Sequence, residues 1–196
     1  MNTEFRALIL ASGASRRLGE PKALLEWRGE TFLQRIVRVF REGGADSITV
    51  VVGGPHESAL RASHLDVDWV SNPDPARGPI SSVVRGLEAG VTRWTSVHPV
   101  DIPGVEPEDV AALIGNAREG SGAEPCVWVS SVDRRRAHPV LLDRSVAHLI
   151  LEAPPASLRD VWRDPRVRVR HVERENHALL FDIDTPEDYA RWLANR

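Results

Sequence analysis

The chain has 196 residues, a net charge of −3 and a charged fraction of 27%. These values are typical of one globular domain and exclude a strongly basic nucleic-acid-binding surface. Its single cysteine, Cys126, excludes an internal disulfide and is typical of a reducing cytoplasm. No charge-free run approaches the length of a membrane span, about 20 residues, and the first residues lack a signal-peptide pattern. We therefore expect a cytoplasmic protein with one domain over residues 1–196, associated with neither nucleic acid nor membrane.

The predicted elements alternate between short β-rich runs and helical patterns. In chain order, strands are predicted at 6–11, 47–53, 67–72, 94–100, 125–131, 167–173 and 178–184. Helices are predicted at 31–44, 80–90, 107–120, 144–153 and 185–196. This alternation is typical of an α/β domain with a largely parallel sheet.

Three segments carry further structural information. Residues 47–53 are nearly all apolar, which predicts a strand covered on both faces. Residues 167–173 alternate between apolar and polar side chains, which predicts a strand near an edge with one face in water. Residues 152–157 contain Pro154 and Pro155, which predict a break between helices.

The first loop contains the only lysine of the chain. Of the 25 residues that are Lys or Arg, Lys22 alone is not arginine. The stretch SGASRRLGEPK follows an apolar strand, as a phosphate-binding turn would: Gly13 permits a tight turn, and Ser15, Arg17 and Lys22 add a hydroxyl and two cations. It is neither a Walker A loop nor a dinucleotide fingerprint, because both require a different glycine spacing. A surface turn with solvated arginines is the alternative interpretation.

Residues 10–25 resemble the L-A-[A/G]-G-x-S-x-R-M-G-x-x-K-x-L-L loop of the MobA/MocA-like nucleotidyltransferases, the molybdenum cofactor guanylyl- and cytidylyltransferases and their relatives. Ser12 and Leu18 are the departures at defined positions. The resemblance implies a Rossmann-like, three-layer α/β/α nucleotidyltransferase with a mostly parallel, mixed sheet. It makes Arg17 and Lys22 catalytic cations, and it assigns nucleotide binding to Leu10, Ala11, Ser12, Gly13, Ser15 and Lys22. A lysine suits this role because its compact charge fits between phosphate oxygens, whereas arginine is a planar fork.

Residues 72–87, NPDPARGPISSVVRGL, resemble the second motif of the family. The matching positions are Asn72, Gly78 and Ser82, which the resemblance implies lie against the base and ribose of the nucleotide. The alternative is a loop followed by a helix that Ser81 or Ser82 caps.

The stretch HPVDIPGV at 98–105 resembles the D-x-P motif that ends the central strand in the family. The resemblance makes Asp101 a catalytic residue that binds Mg²⁺, the implied cofactor. Magnesium takes oxygen ligands and commonly uses one or two carboxylates together with substrate phosphates. A turn-forming Asp that bonds its own backbone is the alternative.

The stretch FDIDTPEDYARW at 181–192 matches the D-I-D-T-P-E-D-[L/Y] signature of the family. The resemblance makes Asp184 the second metal ligand, ahead of Asp182, on a strand that approaches Asp101. Helix capping is the alternative reason for the motif, with Thr185 as N-cap and Asp188 in a capping box.

The stretch RRAHPVLLDR at 135–144 resembles the G-H-P-[V/L]-L-F segment of the family, with Ala137 where glycine is usual. The resemblance makes His138 an acceptor-binding residue, and a structural histidine on a strand is the alternative. Residues 151–164 depart from the G-D-x-G-x-R-like segment of cytidylyltransferase-type members, and Arg159 is a candidate for its basic residue.

The implied reaction transfers NMP from a nucleoside triphosphate to a phosphorylated acceptor and releases pyrophosphate. The implied acceptor is the molybdopterin cofactor. Ser12 and Ser82 favour CTP over GTP as donor, although Gly78-Pro79-Ile80 resembles the guanylyl type. The expected partners are these small molecules, with a molybdoenzyme as a partner protein. Two alternatives stay open: a nucleotidyltransferase for sugar phosphates or other small phosphates, and a non-catalytic nucleotide-binding partner of a molybdoenzyme.

Overall fold

A seven-stranded mixed sheet forms the centre of the computed structural model, which describes residues 4–120, 122 and 124–194. The nine strands, in chain order, are β1 (Phe5–Ala11), β2 (Glu26–Trp27), β3 (Glu30–Thr31), β4 (Ser47–Val52), β5 (Asp68–Ser71), β6 (Trp94–Pro99), β7 (Cys126–Val132), β8 (Arg135–Asp143) and β9 (Arg168–Glu173). Strands β2 and β3 form a separate antiparallel pair. The large sheet has the order β5-β4-β1-β6-β8-β7-β9, and β8 runs antiparallel to both of its neighbours, whereas all other pairs are parallel.

Helices cover both faces of the sheet. They are α1 (Phe32–Glu42), α2 (Glu57–Arg61), α3 (Pro79–Glu88), α4 (Pro107–Gly120), α5 (Arg144–Glu152), α6 (Leu158–Val161) and α7 (Pro186–Ala194). The apolar stripes of α1 and α4 join one buried cluster, and those of α3, α5 and α6 join another on the opposite face. Each stripe follows the 3.6-residue repeat that a helix needs to bury one side. The structure therefore confirms the predicted three-layer α/β/α fold with a mostly parallel, mixed sheet.

The order of the strands gathers three loops at one edge of the sheet. Strand β1 lies between β4 and β6 and is parallel to both, with Ala11 opposite Val52 and Leu10 opposite Pro99. The carboxyl ends of these strands therefore meet at one edge, where α/β sheets bind ligands. Three segments leave the sheet there: residues 12–22, called the lysine loop below, the 72–79 segment and the turn that contains Asp101.

The predictions for two individual strands are confirmed. Strand β4 is an inner strand, and five of its six residues are buried, as its apolar run predicts. Strand β9 is the edge strand next to β7, and its alternating pattern leaves one face partly in water.

The predicted strand at 178–184 is wrong. Residues His177–Leu180 form a 3-10 helix that the side chain of Asn176 caps by accepting a hydrogen bond from the amide of Ala178. The same Asn176 donates to the carbonyl of Gly104, which ties the segment across the end of the sheet. The side chains of Ala178, Leu179 and Ile183 are buried although the segment forms no strand.

Strand β8 was not predicted, although it lies inside the sheet. Its first half contains Arg135, Arg136 and Pro139, residue types that weaken a strand signal, and proline lacks the N–H that a ladder uses. The ladder between β7 and β8 shifts register next to this proline. The hairpin is closed by a two-residue connection, Asp133 and Arg134, and an apolar run just before Asp143 completes β8.

The ends of the chain limit two predictions. The predicted final helix reached residue 196, and α7 ends at Ala194, with Asn195 and Arg196 outside the described residues. Residues 1–3, 121 and 123 of the predicted domain also lie outside them. In the described part of the chain, every helix is too short or too polar to cross a lipid bilayer.

Candidate active site

A cavity of about 290 Å³ opens at the edge where β1, β4 and β6 end. Almost every residue that the sequence assigns to nucleotide, metal or catalysis lines it: Leu10, Ala11, Ser12, Gly13, Ser15, Arg17, Lys22, Gly78, Ser82, Asp101 and Asp184. Asn72 lies behind this wall and contacts it through Ser82. His138 is the exception, since it lines a different cavity.

The lysine loop folds around Ser15. The carbonyl of Ser15 accepts hydrogen bonds from the amides of Leu18 and Gly19, and its hydroxyl accepts one from the amide of Lys22 at 3.2 Å. The positive φ angles of the loop occur at Ser15 (48°) and Gly19 (83°). The conformational freedom that the sequence assigned to Gly13 is therefore required at Gly19 instead. Leu18 is buried against the cluster that holds α7, which anchors the loop from below.

Lys22 lies between two carboxylates at the centre of the cavity. Its ammonium nitrogen is 3.2 Å from Oδ2 of Asp101 and forms a second ion pair with Oδ1 of Asp184. Arg17 pairs with the other oxygen of Asp184 at 2.6 Å, although its guanidinium is mostly exposed. The lysine side chain is only 14% exposed, so its charge acts in a partly desolvated position where electrostatic interactions are stronger.

The pKa values of Asp184 and Asp182 shift in opposite directions. Hydrogen bonding from Lys22, supported by Arg17, lowers the pKa of Asp184 below its ordinary value. Partial burial, followed by the negative charges of Asp101 and Asp184, raises the pKa of Asp182. The ion pairs with Lys22 and Arg17 thus favour the ionised form of Asp184, whereas partial burial disfavours that of Asp182.

Asp101 faces the cavity and does not fold back on its own turn. Its carboxylate contacts Lys22, and its backbone carbonyl accepts a hydrogen bond from the amide of Ile183 at 2.9 Å. That bond brings the DIDTP segment to the end of β6. The two acidic motifs therefore meet through the backbone, without the strand that the sequence predicted for 178–184.

The capping interpretation of the DIDTP motif is also correct, but it accounts for other residues. The hydroxyl of Thr185 accepts a hydrogen bond from the amide of Asp188, and the carboxylate of Asp188 accepts one from the amide of Thr185. This capping box begins α7 and leaves the carboxylate of Asp184 directed to Lys22 and Arg17. Capping and cation binding thus use different carboxylates.

A buried hydrogen-bond network joins the two nucleotide motifs. The hydroxyls of Ser12 and Ser82 are 2.6 Å apart, and Asn72 donates from Nδ2 to the hydroxyls of both Ser81 and Ser82 at 2.9 Å. Neither Ser81 nor Ser82 caps α3, because the helix begins at Pro79 after Gly78, whose φ is 86°. The serines therefore hold the second motif against the lysine loop.

The carboxylates suit a magnesium ion in chemical type and number. No group of three or more His, Cys, Asp or Glu side chains arranged for a metal occurs among the residues described. Asp101 and Asp184 do approach one common cation, the ammonium of Lys22. Two carboxylates that share a cation are what Mg²⁺ uses when phosphates and water complete its shell. These two residues could therefore hold it.

His138 and Arg159 lie in a second cavity of about 660 Å³, on the side of α6. Gly78 and Pro79 line both cavities, so the two are neighbours. Burial lowers the pKa of His138, and its Nδ1 lies 3.3 Å from the carbonyl oxygen of Val97. The predicted site residues therefore lie in two neighbouring cavities: those predicted for nucleotide and metal line the first, and the acceptor candidates line the second.

Two lining residues with ionisable side chains were not predicted from the sequence. His56 follows β4 and places its Nε2 3.1 Å from the carbonyl oxygen of Ala14, so it braces the lysine loop. Arg16 lines the cavity beside Arg17. No spacing pattern marks His56, because its partner is a backbone atom 42 residues earlier.

A family model described as a MobA-like NTP transferase domain matches residues 7–185. The chain belongs to this family. The match begins in β1 and ends at Thr185, so it contains both the lysine loop and the DIDTP motif.

The similar proteins of known name fall into two groups. A probable molybdenum cofactor guanylyltransferase of Opitutus terrae is 38% identical over 118 residues, which are 59% of this chain and 56% of that protein. This chain therefore spans about half the length of the first curated relatives it matches. A probable molybdenum cofactor guanylyltransferase of Bacillus anthracis is 28% identical over 96% of each chain. The nicotine blue oxidoreductase of Paenarthrobacter nicotinovorans is 29% identical over 95% of each chain.

Solved structures share the fold along the whole chain. The Rv0371c protein of Mycobacterium tuberculosis has a TM-score of 0.81 and 28% identity, with full coverage of both chains. A structure of that protein with manganese has a TM-score of 0.77 at 24% identity, covering 99% of this chain and all of that chain. A nucleotidyl transferase of Methanothermobacter has a TM-score of 0.79 at 22% identity, covering 97% of this chain and 96% of that chain. The last two likenesses show the fold alone.

Proposed function

We propose that the protein is a nucleotidyltransferase in which residues 1–196 act as one catalytic domain. It transfers NMP from a nucleoside triphosphate to a phosphorylated small molecule, for which the names of the curated relatives favour the molybdopterin cofactor. The supporting observation is the cavity in which the lysine loop, Asp101 and Asp184 meet around one ammonium group.

In this proposal the lysine loop binds the triphosphate. Lys22 exchanges its carboxylate partners for phosphate oxygens, and Arg17, which is exposed at the mouth, neutralises the β- and γ-phosphates. An oxygen of the acceptor phosphate attacks the α-phosphorus in line, the new P–O bond forms, and the bond to the β-phosphate breaks as pyrophosphate leaves. Such transfer needs positioning and charge stabilisation more than covalent help from the protein. Lys22 supplies that charge at the reacting centre.

Asp101 and Asp184 are the residues that would hold Mg²⁺ in this site. When bound, the ion neutralises phosphate charge and polarises phosphoryl oxygens. Both carboxylates pair with Lys22, and Asp184 also pairs with Arg17, so these ion pairs would open when the ion and the phosphates bind. The manganese complex of the Mycobacterium tuberculosis protein is consistent with use of a divalent ion on this fold.

The choice of donor nucleotide lies between GTP and CTP. The prediction of CTP depends on Ser12 and Ser82, whose buried hydroxyls bond to each other, and Ser82 also accepts a hydrogen bond from Asn72. A hydroxyl has one donor and two acceptor positions, so two of the three on Ser82 are already occupied. The serines therefore offer little for reading a base, and the guanylyltransferase names of the relatives favour GTP.

His138 is proposed to contact the acceptor from the second cavity. The ring of His98 lies edge-on to it, at 6.3 Å between ring centroids. Gly78 and Pro79 form the shared border across which the acceptor phosphate would reach the nucleotide.

The test is release of pyrophosphate from CTP, GTP, UTP and ATP with molybdopterin and with sugar phosphates as acceptors. The proposal expects release with molybdopterin and GTP or CTP, and loss of release in Asp101→Ala. The control variant is Arg118→Gln on α4, an exposed residue outside both cavities. Release only with sugar phosphates would favour the first alternative. Nucleotide-dependent thermal stabilisation without release from any pair would favour a non-catalytic binding protein.

The similarity to nicotine blue oxidoreductase adds one arm to this assay. The lysine loop lacks the G-x-G-x-x-G spacing of a dinucleotide site, so we expect no acceptor-dependent oxidation of NADH or NADPH. Such oxidation without pyrophosphate release would contradict the transferase proposal.

A further inference from the structure

The second cavity has a strongly one-sided charge. Four arginines line it, Arg77, Arg136, Arg159 and Arg163, and its lining contains no aspartate or glutamate. The chain as a whole has a net charge of −3, so this positive concentration is local. A cleft lined by charge of one sign raises the local concentration of ligands of the opposite sign.

Most of this charge lacks a protein partner. Among the described residues, the side chains of Arg77, Arg136 and Arg159 form no ion pair or hydrogen bond, and all three are exposed. Arg163 has one carboxylate, Asp160, at 3.8 Å. Arg17 in the neighbouring cavity differs, since it is already paired with Asp184. Three of the four arginine side chains in this cavity are therefore available to pair with an anionic ligand.

The arginines come from separate segments of the fold. Arg77 directly precedes Gly78, which also lines the nucleotide cavity. Arg159 and Arg163 belong to α6 and the turn that follows it. Leu158 and Trp162 add apolar surface from the same segment, and both pack on the buried cluster under α6. The cavity therefore combines cationic side chains from separate segments with an apolar surface.

We propose that the acceptor carries two separate anionic groups, and that α6 selects for the second one. This inference rests on the proposed function, because it assigns the acceptor phosphate to the border at Gly78. The second anionic group binds Arg159 and Arg163, with Arg136 of β8 beside them. Guanidinium groups suit this task because they bind phosphate or carboxylate with two parallel hydrogen bonds. Simple sugar monophosphates lack the second group and are discriminated against.

The sequence departure at 151–164 has a reason in this proposal. Pro154 and Pro155 end α5 and start a new turn, so that α6 begins with Ser157 as N-cap and displays Arg159 at the cavity. The segment that differs from the family pattern is therefore the one that supplies the proposed specificity.

The experiment compares two probes that differ by one phosphate, glucose 1-phosphate and glucose 1,6-bisphosphate. Their binding to the full chain is measured by calorimetry in the presence of the α,β-methylene analogue of GTP, which fills the nucleotide cavity and cannot transfer. We expect the bisphosphate to bind about tenfold more tightly, since one additional charge-assisted contact has about this effect. The preference should shrink as salt is raised, because these arginines are exposed.

Two variants decide where the preference arises. The double substitution Arg159→Gln/Arg163→Gln should abolish the preference for the bisphosphate, whereas Arg118→Gln should retain it. Equal affinity for the two probes in the unsubstituted protein, or a preference that survives the double substitution, would overturn the inference. Binding of the nucleotide analogue is read in the same samples, so a protein that binds it and shows no bisphosphate preference keeps the proposed function and loses only this inference.

Discussion

Lys22 is the residue at which the chemistry of an ammonium group matters most. It lies between Asp101 and Asp184, where only a compact cation can contact both carboxylates and then move to phosphate oxygens. An arginine there would extend a planar fork into a cavity of about 290 Å³ that also has to hold the triphosphate. Every other Lys-or-Arg position of the chain is arginine, and the proposed function assigns the one lysine to the reacting centre.

The first residue-scale prediction concerns turnover. Lys22→Ala and Asp101→Ala should each lower the rate of pyrophosphate release by roughly 10²–10³-fold, the usual cost of losing one group that stabilises the transition state. Lys22→Arg should recover little of the loss, because the charge is retained and the geometry is not. Steady-state kinetics on purified variants measure this. Rates of Lys22→Arg close to those of the unsubstituted protein would show that charge alone suffices.

The second residue-scale prediction concerns the divalent ion without nucleotide. Lys22 pairs with both proposed metal ligands, so it competes with the ion for their oxygens. Lys22→Gln should therefore bind Mn²⁺ more tightly, by about tenfold, since an opposing charge a few ångströms away is removed. Lys22→Arg is the matched control and should keep weak binding. Electron paramagnetic resonance of free Mn²⁺ gives the affinities, and an unchanged affinity in Lys22→Gln would contradict the competition.

At this scale the sequence motifs predicted most of the residues at the cavity. Lys22, Asp101 and Asp184 were recognisable because each belongs to a short motif with fixed spacing. His56 was not recognisable, because it acts on the carbonyl oxygen of Ala14 and any residue type can supply such an oxygen. Gly13 was predicted to make the turn, yet the left-handed positions are Ser15 and Gly19, since local hydrogen bonds to Ser15 determine the path.

At the scale of elements, helix α3 controls one wall of the cavity. It begins at Pro79 beside the nucleotide side and packs closely on β1, where a Cβ at Gly86 would lie 2.2 Å from Cδ1 of Leu8. Leu8 is fully buried in the centre of the sheet, so it has little room to move. The close approach of helix and strand therefore depends on this glycine.

The element-scale prediction compares two helical glycines. Gly86→Ala should destabilise the protein by about 1–3 kcal/mol through overpacking. Gly115→Ala in α4 is the control: a Cβ there meets nothing within 4 Å, and the change should stabilise by about 0.5–1 kcal/mol through the higher helix propensity of alanine. Urea denaturation followed by circular dichroism measures both. Equal effects of the two substitutions would contradict the packing argument.

Elements were predictable where local pattern and tertiary environment agree. The apolar run of β4 and the amphipathic stripe of α1 each correspond to one structural environment, so sequence alone located them. Strand β8 was missed because its pairing is specified by its neighbours β6 and β7, not by its own arginines and proline. The segment 178–184 has the composition of a strand but lies across the sheet end, where Asn176 ties it to the loop of Gly104.

At the scale of the whole molecule, a buried histidine links the fold to pH. His98 of β6 is fully buried beside Phe40, and its Nε2 contacts the carbonyl oxygen of Ile102 at 2.9 Å. Burial, followed by the nearby His138, lowers its pKa from 6.5 to about 3. The folded protein therefore excludes a proton that the unfolded chain binds below pH 6.5, so the stability is lost as the pH falls below that value.

The prediction at this scale is a pH-dependent free energy of unfolding. Between about pH 5.5 and about pH 4, His98 should contribute a loss of about 1.4 kcal/mol per pH unit. His98→Gln keeps a nitrogen where Nε2 contacts Ile102 and has no proton to bind, so its slope should be shallower by about one proton. The exposed His148→Gln should retain the slope of the unsubstituted protein. Parallel pH profiles for the unsubstituted protein and His98→Gln would contradict this account.

The most direct test of the central claim is a crystal structure with the α,β-methylene analogue of GTP or CTP and Mg²⁺. The account predicts the triphosphate on the loop between Gly13 and Lys22, with the ammonium of Lys22 moved from its carboxylate partners to phosphate oxygens. It also predicts a metal ion bound by Asp101 and Asp184. A loop without phosphate, together with an Asp101 carboxylate that still pairs with Lys22, would contradict it.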